Sequence, residues 1–270
     1  MDVVMLIGIG LLTGVTTVLF GFGGGFAAVP VVVWADAALG ADAMRVATAT
    51  SALVMVVNAA FATAVTPRQV LGALRGSTGL LLPLAAGASV GALATRLAPP
   101  ALVLWLFVAY VAITIVDLLL RPGFLRPRTH IGGPAGGPRP LPAVLGAPVG
   151  AVAAFLGVGG SVMTVPAMRR AGHTMHVASA LANPLTLAMA LPATAVSLSG
   201  TGLPTSADAH VRLVGLVDPS AAAAVLVGAL PVIVVLRRRP PRIPDQIYAW
   251  AYVGLLTVVV AAMLLSDLSR

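Results

Sequence analysis

The sequence predicts an all-α polytopic membrane protein with two inverted-topology repeats. Hydrophobic residues make up 59% of the 270 residues and charged residues only 9%, whereas a soluble domain carries about 25% charged residues. Uncharged runs long enough to cross a bilayer recur along the chain. A glycine-rich motif in the first half returns in the second half. For each repeat we therefore predict a glycine-broken helical hairpin followed by three transmembrane helices.

Composition and charge exclude several classes of protein. The chain has 16 basic residues, all Arg, and 8 acidic residues, all Asp, for a net charge of +8. A soluble enzyme would carry more charge, and a disordered chain would be more polar. The arginines lie between apolar runs and not on one basic face, so we expect no nucleic acid as partner. Cysteine is absent and the four histidines are scattered, so we expect no metal and no cofactor.

The predicted elements follow from apolar runs and their boundaries. The runs Val3–Ala35 and Leu141–Met168 are each too long for one span and contain a glycine cluster, which predicts a hairpin. Val3–Ala35 has no charge and no basic residues before it, whereas the apolar region of a signal peptide follows basic residues. Thr66-Pro-Arg-Gln69 predicts a capping box, and Asp218-Pro219 a second helix start. The first repeat covers 1–120 (hairpin 3–35, spans 44–66, 67–96 and 100–120), the linker 121–140, and the second repeat 141–270 (hairpin 141–169, spans 176–200, 213–236 and 245–266).

The two halves match each other in sequence. Gly14–Pro30 aligns without gaps on Gly150–Pro166, and we call this alignment the hairpin register. Val46-Ala-Thr-Ala matches Val177-Ala-Ser-Ala in a slightly shifted alignment, the long-helix register. Further along, Thr66-Pro67 matches Asp218-Pro219, and Trp105-Leu-Phe107 matches Trp250-Ala-Tyr252. Glycines and a proline in one ungapped register indicate an internal repeat.

The distribution of arginines predicts the orientation. If each broken segment returns to its starting side, each half crosses the membrane an odd number of times and the halves are inverted. One side then carries 12 arginines and the other 4, which places the linker in the cytoplasm and both termini outside. The first set is Arg68, Arg75, Arg121, Arg126, Arg128, Arg139, Arg169, Arg170, Arg237, Arg238, Arg239 and Arg242; the second is Arg45, Arg96, Arg212 and Arg270.

The paired glycine breaks are the candidate site. Glycines let backbone approach a ligand, and a helix that starts after a break offers unpaired N–H groups and a positive dipole end to an anion. Hydroxyl and amide side chains nearby would add donors, although glycines also serve close helix packing and hydroxyls bond to their own helix. The candidate substrate-binding residues are Gly21, Gly23, Gly24, Gly25, Thr48, Thr50, Ser51, Asn58, Gly157, Gly159, Gly160, Ser161, Thr164 and Asn183, with Ser179 beside them.

These motifs resemble a known family. Gly21-Phe-Gly-Gly-Gly-Phe-Ala-Ala-Val-Pro30, its copy Gly157–Pro166, and Val46-Ala-Thr-Ala-Thr-Ser-Ala-Leu53 are similar to those of the TauE/SafE sulfite exporters, also called toluene-sulfonate uptake permeases. The resemblance covers nearly the whole chain and implies a bacterial inner-membrane carrier of sulfite, organosulfonates or related anions. The chain departs from the pattern at Ser161, where a third glycine is usual, and at Ala178–Pro184. We therefore expect a more polar and more rigid second half-site.

Three titratable residues are secondary candidates. Asp117 lies inside a predicted span, which suggests proton coupling, but Arg121 four residues later makes an interfacial ion pair the simpler interpretation. His173 and His176 follow two arginines and could relay protons or attract anions, or could be solvated loop residues.

The leading functional prediction is an anion carrier that works by alternating access. One inverted repeat would rock against the other around a midplane anion site made by the two breaks. One alternative is a passive anion channel. Another is an intramembrane hydrolase with Ser161 as nucleophile and His173 or His176 as base; the carrier prediction includes no catalytic residue. The expected partners are a small sulfur oxyanion and the lipid bilayer, with a second copy of the chain as a candidate dimer partner.

Overall fold

The described part of the chain is helical. The computed structural model describes residues 3–26, 29–30, 43–125, 141–199, 213–239, 241 and 243–268. Within these residues, the β-structure is one isolated bridge between Val214 and Val217. Much of the predicted linker 121–140, and the part of the first hairpin after Pro30, lie outside the described residues.

Nine α-helices form the framework of the described residues. Shorter pieces are the turn Arg68–Leu71 and the 3-10 helices Gly72–Leu80 and Ala143–Leu145. The α-helices are α1 (Val3–Phe20), α2 (Ala43–Ala64), α3 (Leu81–Leu97), α4 (Pro100–Leu120), α5 (Gly146–Leu156), α6 (Ser161–Arg170), α7 (Met175–Leu198), α8 (Pro219–Arg238) and α9 (Asp245–Leu268).

Six of the described helical segments are long and apolar enough to span a membrane. They are Ala43–Ala64, Thr78–Leu97, Pro100–Leu120, Met175–Leu198, Pro219–Arg238 and Asp245–Leu265. Two shorter apolar helices, Leu6–Phe20 and Ala143–Leu156, precede the glycine breaks. Large apolar side chains cover the outside, with Leu82 81% and Leu97 86% exposed. Such a surface suits lipid contact, so the prediction of a helical membrane protein is confirmed; the inverted orientation of the repeats stays a prediction.

The two predicted helix starts behave differently. The Asp218 carboxylate accepts hydrogen bonds from the backbone N–H groups of Ser220 (2.8 Å) and Ala221 (3.0 Å), which caps α8. The predicted capping box at Thr66 is wrong, because the Thr66 hydroxyl instead donates to the carbonyl of Ala62 at 2.7 Å. Its helix lasts one turn and continues as a 3-10 helix until α3 begins at Leu81.

The first helix of each hairpin packs against a helix of the other half. Helix α1 lies parallel to α8, and α5 lies parallel to α3. A Cβ on Gly10 would sit 2.9 Å from the Gly228 Cα, and one on Gly14 would sit 2.6 Å from the Ala229 carbonyl oxygen. Backbones this close require small residues, as in other membrane helix pairs.

The contacts of α1 with α8 and of α5 with α3 show which residues of α8 and α3 are equivalent in the two repeats. Gly146 packs on Leu80 and Pro83 in the way that Gly10 packs on Val225 and Gly228. Leu80 is therefore equivalent to Val225, and continuing this alignment along the chain pairs Trp105 with Trp250, as the sequence predicts. We call it the partner-helix register. It does not pair Pro67 with Pro219, because the first half has additional residues between its proline and its partner helix, within the segment 68–80.

These contacts produce two bundles that each combine both halves. We call α1, α2 and α8 the first bundle, and α3, α5 and α7 the second bundle. Within each bundle the three helices contact one another, and the bundles meet where α2 packs against α7. Helices α4 and α9 contact each other and belong to neither bundle. On α4, the buried residues Val103, Phe107, Val111 and Leu118 form one stripe.

A buried ion pair joins α6 to the start of α9. The Arg169 side chain is 1% exposed and pairs with Asp245, which is 37% exposed. Arg169 also donates to the carbonyl of Phe124 at 3.1 Å, and Asp245 accepts from the Met175 N–H at 2.9 Å. One carboxylate therefore fixes the ends of three helices.

Asp245→Asn is expected to destabilise the protein by about 2 kcal/mol, because it leaves the buried Arg169 cation without its counter-charge. The partial exposure of Asp245 keeps the loss below that of a fully buried pair. Asp117→Asn is the control, since Asp117 pairs with arginines that are 73% and 29% exposed; its cost should stay below about 1 kcal/mol. Thermal unfolding of the purified variants measures both losses of stability. Equal falls in melting temperature would contradict the assignment of Asp245 as the counter-charge of the buried Arg169.

Candidate functional site

Two glycine breaks interrupt the hairpins at matching positions. Helix α1 ends at Phe20 and α5 at Leu156, and each is followed by glycines with positive φ. These backbone conformations are strained for any residue with a side chain. The angles are 73° at Gly21, 61° at Gly23 and 85° at Gly24 in the first break, and 69° at Gly157 and 68° at Gly159 in the second.

Each break lies on the long helix that follows the other break. Gly21 packs on Ser179 and Ala182 of α7, and Gly157 packs on Thr48 and Ser51 of α2. Hydrogen bonds follow the same pattern. The Ser51 hydroxyl lies 3.3 Å from the Gly157 carbonyl and 2.8 Å from the Thr48 carbonyl, which share its proton. The Thr186 hydroxyl donates to the Gly21 carbonyl at 3.4 Å.

The two breaks adjoin at Met55 and Thr186. These residues are equivalent in the long-helix register. A Cβ on Gly23 would lie 2.9 Å from Thr186 Cγ2 and 3.4 Å from Met55 Cγ, and one on Gly159 would lie 2.9 Å from Met55 Sδ. The carbonyl oxygen of Phe22, in the first break, would lie 3.3 Å from a Cβ on Gly159, in the second break. The breaks therefore form one site, with Met55 and Thr186 between them.

The two halves of this site differ in polarity. A Cβ on Gly24 would lie 2.7 Å from Asn58 Nδ2, whereas one on the equivalent Gly160 would lie 2.7 Å from Met189 Sδ. Asn58 and Met189 are themselves equivalent in the long-helix register. Gly160 also differs from Gly24 in its backbone, with φ −73°. At these equivalent positions the first break thus faces an amide and the second a thioether, while Ser161 and Thr164 place buried hydroxyls in the second half-site. The more polar and more rigid second half-site stays a prediction.

Polar atoms in the first half-site lack partners. Asn58 is fully buried, and both its Nδ2 and its Oδ1 have no hydrogen-bond partner among the described residues. The hydroxyl of Thr13 also has none, and the methyl group of the same side chain lies against Gly24. Leaving a buried polar group unsatisfied costs roughly 1–3 kcal/mol. An amide with an unpaired donor and an unpaired acceptor indicates a place for a polar ligand or water.

The space between the breaks is closed in this conformation. The cavity there has a volume of about 10 Å³ and is lined by Met55, Gly157, Gly159, Thr186 and Met189, among others. This is room for about one water molecule. A ligand larger than a water molecule would need α2, α5 and α7 to move apart, or Met55 and Met189 to change rotamer.

The remaining predicted site residues lie at varied distances from the breaks. Thr48 packs on Gly157, but its hydroxyl donates to the Met44 carbonyl at 2.9 Å. The Thr50 hydroxyl accepts from the Asp218 N–H at 2.9 Å and thus serves the first bundle. Gly25 packs on Met55. Three further residues have a buried polar atom without a partner in the described part of the chain: Ser161, Thr164 and Asn183, whose Nδ2 donates to Ser179.

The secondary candidates lie near helix ends. Asp117 pairs with Arg121 at 3.0 Å and with Arg170 at 2.6 Å, which favours an interfacial ion pair over proton coupling. Burial lowers the pKa of His173, so its imidazole is neutral at pH 7 and attracts anions weakly. His176 is exposed at the start of α7 and lines a separate cavity.

Ser161 forms no hydrogen bond with a histidine among the described residues. The Ser161 hydroxyl is buried and has no hydrogen-bond partner among the described residues, whereas an activated nucleophile bonds to its base. The Ser161 carbonyl accepts from the Tyr252 hydroxyl at 3.2 Å. Within the same described ranges, no three His or Asp side chains are grouped as they would be around a metal ion.

Comparisons with known proteins agree with the motifs. A family model described as "Sulfite exporter TauE/SafE" matches residues 6–263. No curated protein and no solved structure matches the chain.

Proposed function

The chain belongs to the sulfite exporter TauE/SafE family, and from this membership we propose that it is a secondary transporter of small sulfur oxyanions, sulfite or organosulfonates, with its substrate site between the two glycine breaks. The observation that supports this site most directly is Asn58, which is buried beside Gly24 with both amide atoms unpartnered among the described residues. The site would then take an anion with exposed oxygens.

The donors of the proposed site are neutral. The atoms nearest the break glycines belong to backbone and to Thr, Ser, Asn, Met and Ala side chains, and none of these described neighbours is an arginine. Backbone N–H groups at the ends of broken helices supply the positive potential, and Asn58 Nδ2 and Thr13 Oγ1 supply directed hydrogen bonds. A site without a full counter-charge holds an anion weakly enough to release it, as a transporter requires.

The packing supports moving units that differ from the sequence halves. Because α1 packs on α8, and α5 on α3, the first bundle and the second bundle each contain helices of both repeats. We infer that the bundles rock against each other about the contact of α2 with α7. Both breaks lie at this contact, so rocking would open the closed cavity to one side at a time.

A passive channel would need a continuous path for ions. The cavity of about 10 Å³ between the breaks gives no such path in this conformation, which favours a carrier. Planar-bilayer recordings distinguish the two, because a carrier turns over too slowly to give single-channel currents.

The proposed location is the bacterial inner membrane, with linker 121–140 in the cytoplasm. Support comes from the six span-length helices and from the arginine distribution of 12 against 4. Dimer formation stays a prediction.

Asn58→Leu is expected to weaken sulfite binding at least about tenfold, since charge-assisted hydrogen bonds are worth about 1.5–3 kcal/mol. Without sulfite the variant should be as stable as the wild type or more stable, because it removes two unsatisfied buried atoms. Thermal shift against sulfite concentration reports both quantities.

Thr50→Val is the matched control for this experiment. Thr50 lies on the same helix as Asn58, and the variant removes the hydrogen bond between the Thr50 hydroxyl and the Asp218 N–H. Its melting temperature should therefore fall, while the rise in melting temperature on adding sulfite persists. An undiminished sulfite shift in Asn58→Leu would place the site elsewhere. If folded wild type gives no shift with sulfite, thiosulfate, taurine, isethionate or aromatic sulfonates, the proposed substrate class is wrong.

A further inference from the structure

A second cavity lies beside the first break, at the end of α8. Its volume is about 90 Å³, room for several water molecules and therefore for an anion the size of sulfite. Its polar lining comes from three helices and the turn after α2, and its apolar lining includes the last residues of α1. The polar residues are Thr66, His176, Arg237 and Tyr248, and the α1 residues are Val18 and Leu19.

Arg237 differs from the two arginines that follow it. Arg238 and Arg239 are exposed, whereas Nε and Nη2 of Arg237 are buried and have no hydrogen-bond partner among the described residues. The Asp245 carboxylate at the start of α9 is paired with Arg169. Nε and Nη2 form one edge of the guanidinium, and this edge binds two oxygens of an oxyanion side by side.

The second cavity is connected to the substrate site through Tyr248. The Tyr248 hydroxyl donates to the Leu19 carbonyl and lies 3.5 Å from the Ser179 hydroxyl. Leu19 is two residues before Gly21, and Gly21 packs on the Ser179 carbonyl. An anion beside Arg237 would therefore lie next to the backbone that forms the first break.

In the other half of the molecule, the positions equivalent to Arg237 and Tyr248 hold no charge. In the partner-helix register, Arg237 corresponds to Ala92 and Tyr248 to Val103, both of them buried and apolar. His176 corresponds to Arg45 in the long-helix register, and Arg45 donates to the Ala98 carbonyl at 2.7 Å. Arg237 and Tyr248 are thus not repeated, although the breaks are paired, Arg45 places a cation at the position of His176, and Arg96 lies in the last turn of α3.

We propose that Arg237, in the cavity it shares with Tyr248 and His176, forms a second oxyanion site that holds the transported anion at one mouth of the molecule, before or after it occupies the site between the breaks. The assignment of the ligand as a sulfur oxyanion rests on the proposed function. The mouth is the one that the arginine distribution places in the cytoplasm. A lipid phosphate has the same oxyanion chemistry, so the test must separate the two sources.

The test compares full-length Arg237→Gln, Arg237→Lys and Arg238→Gln with wild type. Sulfite binding is titrated calorimetrically in detergent, and retained phosphatidylglycerol is counted by native mass spectrometry. We expect two sulfite sites per wild-type chain. Arg237→Gln should lose one of them, or weaken it at least about tenfold; Arg237→Lys should restore it in part, because it keeps the charge but not the planar edge. Arg238→Gln should match wild type, since Arg238 is exposed.

Stability provides an independent readout. Arg237→Gln removes a cation whose buried nitrogens have no partner in the described part of the chain. Without sulfite, the variant should therefore melt no lower than wild type. On adding sulfite, the melting temperature of wild type should rise more than that of the variant. Unchanged sulfite affinity in Arg237→Gln would overturn the proposal, and loss of phosphatidylglycerol with unchanged sulfite affinity would assign the cavity to a lipid headgroup. Absence of sulfite binding to wild type would overturn the proposed function as well.

Discussion

Gly10→Ala is expected to destabilise the protein by about 2–3 kcal/mol or more, although it adds a single methyl group. The new Cβ would overlap the carbonyl oxygen of Val225 and lie 2.9 Å from the Cα of Gly228, and both are backbone atoms of α8 that cannot rotate away. Relief requires α1 and α8 to separate, which loses contacts along their whole length. Thermal unfolding of the purified protein should show a large fall in melting temperature.

Gly8→Ala is the matched control on the same helix. Gly8 is exposed, and nothing lies within 4 Å of a Cβ placed there; because alanine favours helix over glycine, this variant should equal or exceed wild type in stability. Gly87→Ala tests the packing of α3 on α5 in the second bundle, where the added Cβ would lie 2.9 Å from the Cα of Ala147. Equal melting temperatures for Gly8→Ala and Gly10→Ala would contradict the close packing of α1 on α8.

Gly24→Ala is expected to reduce sulfite transport more than tenfold, whereas Gly160→Ala should retain most of it. Gly24 has φ +85°, and an added Cβ would lie 2.7 Å from Asn58 Nδ2. The left-handed conformation costs a non-glycine residue about 1–2 kcal/mol, and the clash displaces the amide proposed to bind substrate. Gly160 has φ −73°, and its clash is with the end of the flexible Met189 side chain.

Uptake of radiolabelled sulfite into proteoliposomes, normalised to the amount of folded protein, measures this difference. The two glycines are equivalent in the hairpin register, so the pair is its own control. Equal losses in both variants would mean that the two halves of the site contribute alike, and Asn58 would lose its proposed special role.

Much of the framework was predictable from the sequence. The two breaks occur at the predicted glycines because only glycine reaches positive φ there without strain. The long-helix register, seen first at Val46 and Val177, also pairs Met55 with Thr186 and Asn58 with Met189. These pairs lie between and beside the breaks. The same register, applied along the whole of α2, would have identified Met55, Thr186 and Met189 before the structure did.

Other features depend on packing that the sequence does not encode locally. A repeat shows that two segments are alike, but not that α1 packs on α8 of the other half. The 3-10 helix Gly72–Leu80 follows a sequence that predicts an ordinary helix start. Arg237, Arg238 and Arg239 form one run in the sequence, and only the tertiary structure buries Nε and Nη2 of Arg237 while it leaves the next two arginines exposed.

The exchange of helices between the two halves has a consequence for how the chain is made. Helix α1 is the first helix described and its partner α8 is the eighth. At roughly 5–20 residues added per second, α1 waits on the order of 10–40 s in the bilayer before α8 is made. During that time its glycine-lined face contacts lipid or the insertion machinery. Biogenesis therefore cannot proceed one repeat at a time, and a ribosome stalled between α7 and α8 would leave the first bundle open.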